Sequence, residues 1–534
     1  MNHETLIYTK DIKFNSDTEY RAAQTVIDVA LSDAQNLYDP LYYSFCGYGE
    51  HHIPAAFVLR DLNNVILDFG GAVLRLNGMI LPFLIENCDN ITVRNVTVEY
   101  TRSPYTEFRV LRREGDRLYL KPLDKFPVRV ENGYLIPYGE TWEARRLHTD
   151  NMFIQAFDRE TGEGRGLAVC VIGETIEESE TPPAFVHHYR VSEEDGAVVL
   201  HGSFPGEWDS SMHIVLAHAP RDIASAYLIT SKNITLQNYR ILNGQGMGIL
   251  GMYSENITLD GLKLTRDAMS HGIVTNGADA VHLVASKGDI TLRNCCIEGM
   301  TDDALNVHTV FLEVTHVNGN QVTLLCHPER HMIRANYKVL DAGDILQFFR
   351  GRTMEERMKT AICGTRVLDA DHLEITVEHA EGIAVGDYVE NLSTQPALTI
   401  GDSRFAKANS HLRIQTRGSV RIHDCEIGLP LMLTGDMNYW QEASPVRDME
   451  IKNCRFIGDR GYVRLCPEFT PTENAPYYHG NVRIFDCVFD RNVILEANAA
   501  DGLQIFGNKA SDPDTELTFR AAACSEIQTD IKTV

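Results

Sequence analysis

Two repeated phrases, NITLQNYRI (233–241) and NITLDGLKL (256–264), decide the fold of this chain. Each is a short run of alternating apolar residues, then a polar corner at Asn or Asp, then a second apolar run. The two phrases begin 23 residues apart. Related phrases are NITVRNVTV (90–98), DITLRNCCI (289–297), VRIHDCEIG (420–428), MEIKNCRFIG (449–458) and VRIFDCVFD (482–490). A repeat that buries its apolar face only against its neighbours is typical of a solenoid, so we predict an all-β, right-handed parallel β-helix.

The asparagines and cysteines of these repeats have a structural interpretation. Asn tolerates the left-handed backbone of a tight corner and can bond its copies in adjacent coils. Spacings of 29 residues from Cys425 to Cys454 and 33 from Cys454 to Cys487 follow the coils. We therefore expect Cys295, Cys425, Cys454 and Cys487 to be small apolar core residues rather than nucleophiles or ligands. No metal-ligand cluster has the required spacing, so we predict no metal and no cofactor.

The ends of the chain and two interruptions of the repeat complete the predicted organisation. Ser16-Asp17-Thr18-Glu19 matches a capping box and precedes apolar residues at helical spacing, which predicts a helix that covers the N-terminal end of the coil. The two interruptions hold hairpin-like segments such as EGDRLYL and NGNQVTLL and are predicted to be inserted β-barrel-like domains. The predicted parts are 1–103 (cap helix and first coils), 104–218 (first insertion), 219–309 (central coils), 310–396 (second insertion) and 397–534 (last coils).

Charge and composition limit the partners of the chain. It has 74 acidic and 49 basic residues among 534, a formal charge of −25, which would repel nucleic acid, anionic lipid and polyuronates. We therefore expect a neutral partner. The N-terminal MNHETLIYTKDIKF lacks a basic start followed by an apolar run, and no stretch reaches the ~18 apolar residues of a membrane span. With 12 cysteines and no CxxC pair, the chain is expected to be cytoplasmic, or secreted if a signal segment has been removed.

The stretch GMTDDALNVH (299–308) carries the strongest chemical signal. Asp279, in NGADAVHL, precedes Asp302 by 23 residues, the length of one short coil, so coils stacked at about 4.8 Å should place Asp279 beside Asp302 and Asp303. Converging carboxylates raise at least one pKa, and an acid beside an ionised base is the equipment for cleaving a glycosidic bond. The alternatives are turn capping by the aspartates, and calcium binding, for which the needed 6–8 oxygens are not evident.

The chain resembles glycoside hydrolase family 110, the α-1,3-galactosidases that remove terminal galactose from blood group B-type glycans. The resemblance is carried by LNNVILDFGGAVLRLNGMILPFLIENCDNITVRNVTVEY (62–100), GMGILGMYSENITLDGLKL (246–264), ADAVHL (278–283), GMTDDALNVH (299–308), LRIQTRGSVRIHDCEI (412–427) and GDMNYWQEASPVRDMEIKNCRF (435–456). It implies a β-helix with inserted β-barrels, an inverting mechanism without a metal, and catalytic roles for Asp279, Asp302 and Asp303. We assign Asp302 as the general acid, and Asp279 and Asp303 as the residues that hold the attacking water. The sequence also allows the roles of Asp302 and Asp303 to be exchanged.

Further residues near the aspartates are candidates for binding the sugar. His282 and His308 follow them closely and can donate to hydroxyls or orient a carboxylate, while Asn306 is either a further binding residue or another corner. Trp440 lies in the polar loop GDMNYWQEA, where its ring can stack on the apolar face of galactose. Asp436 and Glu442 flank Trp440 and can bind hydroxyls.

Three other functions remain open from the sequence. A polygalacturonase-like hydrolase shares the coil and the aspartates but needs a basic site, and no RIK-type motif lies near them. A polysaccharide lyase needs a Lys or Arg base and usually calcium. A non-catalytic β-helix, used for adhesion or for binding carbohydrate, has no use for three converging acids. The expected partner is an oligosaccharide with terminal α-galactose, with linkage, branching and oligomeric state left open.

Overall fold

The computed structural model describes most of the chain. The described residues are 1–38, 52–103, 105–140, 143, 152–172, 186–217, 223–266, 272–326, 340–369, 371–407, 411–437 and 440–533. Within these ranges the chain is built from β-strands, and its one helical segment is the short 3-10 turn Leu31–Asp33. No helix in the described part of the chain is both long and apolar enough to cross a membrane.

Two long sheets form the coil, and we call them sheet 1 and sheet 2. The strands of sheet 1 are Asn2–Leu6, Thr18–Ala22, Val26–Ala30, Asn63–Asp68, Val73–Asn77, Asp89–Tyr100, Lys232–Leu242, Glu255–Asp260, Lys263–Leu264, Lys287–Arg293, Cys296–Glu298, Ala397–Gly401, Arg404–Ala406, Val420–His423, Glu426–Ile427, Met449–Lys452, Arg455–Phe456, His479–Phe485, Val488–Phe489, Ala500–Phe506, Lys509–Ala510 and Ser525–Thr529. Those of sheet 2 are Gln35–Tyr38, His52–Arg60, Leu81–Glu86, Ala226–Ile229, Ile249–Met252, Val281–Val284, Leu305–Asn318, Leu412–Ile414, Leu431–Leu433, Val463–Leu465, Val493–Asn498, Thr518–Ala522 and Lys532–Thr533. Sheet 1 is parallel throughout. Sheet 2 is parallel apart from two antiparallel pairs, Gln35–Tyr38 with His52–Arg60 and Leu305–Asn318 with the short strand Glu442–Ala443. The predicted all-β parallel β-helix is confirmed.

Stacked apolar columns between the two sheets form the core of the coil. One column places a single buried apolar residue from each coil in register with the next. It contains Val65, Ile91, Ile234, Ile257, Ile290, Leu398, Val420, Met449, Val482 and Leu503. Since alternate residues of a strand point to opposite faces, the intervening polar residues face outward.

Asparagine corners hold the coils in register, as the sequence predicted. The backbone at Asn90, Asn233 and Asn256 is left-handed, with φ between 56° and 58°. Asn256 Nδ2 donates to Asn233 Oδ1 over 3.0 Å, and Asn90 Nδ2 donates to Asn64 Oδ1 over 2.8 Å. We call these stacked asparagines of sheet 1 the asparagine ladder. Each side chain is satisfied by the neighbouring coil.

The predicted N-terminal cap helix is wrong. Thr18–Ala22 and Val26–Ala30 are strands of sheet 1, and Val26–Ala30 alternates between more and less buried residues. Asp17 is not a helix cap: its backbone is left-handed, with φ of 59°, and its Oδ1 accepts a hydrogen bond from Asn64 Nδ2. The supposed capping box is the first rung of the asparagine ladder, and the β-branched residues after it favour a strand.

The four repeat cysteines are core residues. Cys295, Cys425, Cys454 and Cys487 are all buried, and the eleven cysteines within the described residues are free thiols. Burial raises the pKa of the Cys295 thiol to about 11, which keeps it protonated and unreactive at neutral pH. This agrees with the structural role that the repeat spacing predicted.

Two barrels interrupt the coil. The first consists of Tyr105–Glu114, Arg117–Pro122, Met152–Asp158, Gly164–Ile172, Val186–Glu194, Ala197–His201 and Met212–Ala217, with the hairpin Val128–Glu131 and Tyr134–Pro137 beside it. The second is closed by the outer half of Leu305–Asn318 with Gln321–Leu325, Ile345–Phe349, Glu356–Val367, His372–Val377 and Tyr388–Asn391. Residues 104 and 218, the predicted limits of the first insertion, lie outside the described residues. The five-part division itself stays a prediction.

The second barrel grows directly out of the coil. Strand Leu305–Asn318 pairs in sheet 2 through Leu305 to His308 and continues without a break into the barrel. The barrel therefore stands immediately beside the coils that contain Asp279, Asp302 and Asp303.

Candidate active site

Close coil contacts shape the corners before the aspartates. At Gly277 a Cβ atom would collide with the carbonyl oxygen of Gln245, and at Gly299, where φ is +75°, it would collide with that of Ile273. Only glycine fits such approaches. Asn276 Nδ2 donates to the carbonyl oxygens of Gly246 and Asp279 over 2.7 and 2.8 Å. These contacts fix the backbone that presents Asp279 and the Asp302–Asp303 pair.

The structure brings Asp279 and Asp303 side by side. The backbone N–H of Asp303 donates to Asp279 Oδ1 over 3.2 Å, and that of Ala280 donates to the carbonyl oxygen of Asp303 over 2.9 Å. Both aspartates are buried, whereas Asp302 is half-buried. Asp279 therefore aligns with Asp303, 24 residues on, rather than with Asp302 at the predicted 23. We call these three residues the aspartate corner.

Arg413 neutralises part of the aspartate corner. His282, Asn306 and Arg413 stand in register on three adjacent strands of sheet 2. Arg413 Nε lies 2.8 Å from Asp303 Oδ2, and His411 Nδ1 lies 3.5 Å from Asp303 Oδ1. The charge of Asp303, and then those of Glu442, Asp302 and Asp279, raise the pKa of the Arg413 guanidinium against the opposing effect of burial. Asp303 is thus held beside a permanent positive charge, which favours its ionised form.

The two candidate histidines contact one another and Asp279. His282 Nδ1 lies 2.6 Å from Asp279 Oδ2, His282 Nε2 lies 2.9 Å from His308 Nε2, and His308 Nδ1 lies 2.7 Å from the carbonyl oxygen of Thr309. Burial lowers the pKa of both rings, that of His308 to about 4. Both rings are therefore disfavoured as imidazolium ions.

Glu442 closes the opposite side of this cluster. Asn306 Nδ2 donates to Glu442 Oε1 over 3.1 Å, and Gln415 Nε2 donates to Glu442 Oε2 over 2.8 Å. Burial opposes ionisation of Glu442, but the charge of Arg413 and the hydrogen bond from Gln415 favour the carboxylate, and the pKa of Glu442 lies below its usual range. Glu442 is a carboxylate at neutral pH.

Trp440 and Asp436 occupy the loop before Glu442. The Trp440 side chain is exposed, with 47% of its surface accessible, and its backbone N–H donates to the Asp436 carboxylate. Asp436 is buried, and the backbone N–H of Asp436 donates to the carbonyl oxygen of Glu442 over 2.9 Å. An exposed tryptophan on a loop that is anchored to the buried Asp436 is placed as a stacking surface would be.

One cluster has the composition of a metal site. His282, His308 and Glu442 offer donor atoms within 4.8 Å of one another, and no other group of this kind is found among the residues described. The two ring nitrogens are 2.9 Å apart, closer than the roughly 3.3 Å that two ligands of a tetrahedral zinc ion would keep at bond lengths of about 2.0–2.1 Å. The contact has the length of a hydrogen bond, and we interpret it as one.

The structure gathers most of the predicted residues in one place and adds others. Asp279, Asp302, Asp303, His282, His308, Asn306 and Glu442 belong to one cluster, and Asp436 and Trp440 lie on the loop leading to Glu442. Sequence reasoning missed Arg413, His411, Gln415 and Glu468. Burial, followed by the charge of Asp436, raises the pKa of Glu468. In the sequence, Arg413 could be recognised only as part of a predicted strand, LRIQT. The second barrel separates that strand from Asn306 along the chain, so their pairing was not evident.

Comparison with known proteins gives a consistent set of relatives. The chain is 24% identical over 502 residues to a protein named Alpha-1,3-galactosidase B from Bacteroides thetaiotaomicron, covering 89% of this chain and 78% of that protein. It is 25% identical over 504 residues to an Alpha-1,3-galactosidase B from Akkermansia muciniphila, covering 89% of this chain but 60% of that longer protein. An Alpha-1,3-galactosidase A from Shewanella woodyi is 23% identical, with 85% and 75% covered. These similarities confirm the resemblance that the motifs indicated.

Other comparisons add less. No protein-family model matches the chain. Among solved structures, a polygalacturonase from Erwinia carotovora ssp. carotovora superimposes with a TM-score of 0.37 and 8% identity, covering 100% of this chain and 96% of that one.

Proposed function

We propose that this chain, a homologue of proteins named alpha-1,3-galactosidase, is a glycoside hydrolase that removes terminal α-1,3-linked galactose from B-type or related glycans. The observation that carries the proposal is the unlike setting of two adjacent acids. Asp303 is buried against Arg413, which favours a carboxylate, while Asp302 is half-buried beside it. One ionised and one protonated carboxyl are what glycosidic hydrolysis requires.

The roles follow from these settings. Asp302 is the general acid that protonates the leaving oxygen, and Asp303 is the base that takes a proton from the attacking water. Asp279, bound to the backbone of Asp303, completes the grip on that water. Attack from the face opposite the leaving group inverts the anomeric centre, which is the outcome we propose.

The charge around the corner favours a neutral sugar. Asp303 and Glu442 are the two carboxylates that act most strongly on the Arg413 guanidinium, so two negative charges stand against one positive charge there. That cation already lies against Asp303. A uronate would therefore meet a surplus of negative charge, which argues against a polygalacturonase-like substrate.

The remaining residues supply recognition of galactose. The exposed Trp440 ring offers a stacking face, and the Glu442 carboxylate accepts hydrogen bonds from sugar hydroxyls. Asn306 and Gln415 hold that carboxylate in place. A carbohydrate-binding protein without activity would not need the aspartate corner beside these residues.

A substrate screen tests the proposal. Galactose-terminated oligosaccharides with α-1,3, α-1,4 and α-1,6 links, with and without a branching fucose, are incubated with the protein, and polygalacturonate serves as the acidic comparison. Proton NMR during the first turnovers records the anomer of the released sugar. We expect β-galactose from the α-1,3-linked substrates and no product from polygalacturonate. Release of α-galactose would refute inversion, and activity confined to polygalacturonate would refute the proposed function.

A further inference from the structure

Three consecutive contacts link Asp279 to a backbone carbonyl through both histidines. They run from Asp279 Oδ2 to His282 Nδ1 (2.6 Å), from His282 Nε2 to His308 Nε2 (2.9 Å) and from His308 Nδ1 to the carbonyl oxygen of Thr309 (2.7 Å). We call this the Asp279–His282–His308 chain. Each contact is short enough to be a hydrogen bond and therefore needs one proton.

The number of protons in this chain can be counted. The carbonyl oxygen of Thr309 only accepts, so His308 Nδ1 must carry a proton. The contact between the two Nε2 atoms needs a second proton, on either ring. The contact between His282 and Asp279 needs a third, on the ring or on the carboxyl. A carboxylate with two neutral rings holds only two protons, so one more is present.

We propose that Asp279, His282 and His308 share this additional proton, so that the Asp279–His282–His308 chain is neutral as a unit and holds Asp279 beside Asp303 without adding a full negative charge to the aspartate corner. The proton resides on Asp279 when both rings are neutral, and on His282 or His308 when Asp279 is a carboxylate. It moves between these positions along the hydrogen bonds. His282 and His308 are positioning residues that act through Asp279.

The surroundings of the chain favour the state with two neutral rings. Asp302, Asp303 and Glu442 face His282 and favour a positive ring, while Arg413 disfavours one. Burial is the largest influence on both rings and lowers the pKa of each. The additional proton therefore rests mainly at the Asp279 end, next to Asp303.

The shared proton itself does not depend on the proposed function, but its effect on catalysis does. In a hydrolase, Asp303 is then the single strongly ionised member of the water-gripping pair, which removes the repulsion between two adjacent carboxylates. When the pH rises far enough to remove the shared proton, the two Nε2 lone pairs face each other and Asp279 becomes fully charged. Activity is expected to fall on the alkaline side at that point.

The direct test reads the histidine nitrogens. Full-length protein labelled with 15N-histidine is freed of metal with a chelator, its metal content is measured, and its ring nitrogens are followed by NMR from neutral to alkaline pH. Signals of His282 and His308 are assigned by their loss in His282→Ala and His308→Ala. The same titration is repeated with the Asp302→Asn variant, which lacks the proposed general acid. Any proton lost in that variant then comes from a group other than Asp302.

We expect a proton shared between the two Nε2 atoms at neutral pH, lost in one step as the pH rises, with and without Asp302. Two unprotonated Nε2 atoms at neutral pH, or a metal ion that survives chelation between them, would overturn the proposal. Because the NMR titration needs no substrate, its result is independent of whether the protein has galactosidase activity. If the alanine variants do not fold, His282→Gln and His308→Gln, which keep a polar side chain of similar size, provide the same assignment.

A pH profile supplies a second reading. His308→Ala removes the facing lone pair and so lowers the cost of losing the proton, which should move the alkaline midpoint of kcat to lower pH by about one unit, the usual spread of protein pKa values. His479→Gln is the matched control, because His479 is equally buried but outside the chain. An unchanged midpoint in His308→Ala, or an equal shift in His479→Gln, would contradict the shared proton.

Discussion

The asparagine ladder and the aspartate corner are both stacked polar corners of the same coil, yet they are stabilised in opposite ways. In the ladder, Asn256 donates to Asn233 and also accepts the backbone N–H of Asp289 over 3.0 Å, so neighbouring coils satisfy each other. In the corner, Asp279 and Asp303 are chemically alike and cannot pair directly as two carboxylates. Side chains of a different kind, Arg413 and His282 on strands of sheet 2, contact them instead.

The difference shows where a repeat protein keeps its function. An amide carries both donor and acceptor, so copies of it can stack indefinitely. Carboxylates at adjacent positions repel each other unless other groups intervene. The need for such groups marks the aspartate corner as a place where the regular repeat gives way to specific chemistry.

The largest expected effect is on Asp303. Asp303→Asn removes the base, so kcat should fall by about 10²–10⁴-fold, the usual contribution of general base catalysis. A good leaving group such as nitrophenol should not restore activity, because the water still lacks its base. Initial rates on an α-1,3-linked disaccharide and on nitrophenyl α-galactoside check this. Restored activity on the nitrophenyl substrate would instead make Asp303 the acid.

A smaller effect is expected when the support of the corner is removed. Arg413→Gln leaves the buried Asp303 carboxylate without its cation, and breaking a buried pair in this way costs about 3–5 kcal/mol. We expect a lower free energy of unfolding, measured in urea, and a lower kcat. The double variant Asp303→Asn/Arg413→Gln should lose less stability than the two single changes summed. Strict additivity would show that the two residues are not coupled.

Trp440 lies at the rim and should affect binding more than chemistry. Trp440→Ala removes the stacking face, so KM should rise by about tenfold, corresponding to an aromatic contact of about 1.4 kcal/mol, while kcat changes little. Trp440→Phe keeps a ring and should restore most of the affinity. A large loss of kcat with unchanged KM would place Trp440 in the reaction rather than in recognition.

Substitution in the asparagine ladder should lower stability and leave turnover unchanged, the opposite of what is expected for the aspartate corner. Asn256→Ala loses a side chain that bonds two coils and leaves at φ of 56° a residue that tolerates the left-handed region less well than Asn, so the free energy of unfolding should fall by about 2 kcal/mol. Asn256→Gly keeps the backbone conformation and isolates the lost hydrogen bonds. Turnover per folded molecule should be unchanged in both. Loss of turnover with normal stability would remove the distinction between the two regions.

The sequence predicted those features that depend on repetition. The apolar alternation and the recurring Asn identified the parallel coil, and one coil length connected Asp279 to Asp302 and Asp303. The cap helix failed because Asp17 bonds Asn64 across the coil, a contact that a local capping pattern does not contain.

Contacts between distant segments were not predictable from spacing. The alignment of Asp279 with Asp303 depends on a register 24 residues long in sheet 2, one more than the 23 residues that separate Asn233 from Asn256. Arg413 reaches Asp303 only because the second barrel loops out and returns the chain to the next strand. The contact between His282 and His308 follows from the same register.

The most direct test of the account is Asp302→Asn, measured for turnover on two substrates and for stability in the same preparation. We predict that kcat on the α-1,3-linked disaccharide falls by about 10²–10⁴-fold, that nitrophenyl α-galactoside is hydrolysed much closer to the wild-type rate because its departure needs little protonation, and that the free energy of unfolding is unchanged or slightly higher. Near wild-type turnover on both substrates, together with a lower free energy of unfolding, would contradict the account and make Asp302 a turn cap.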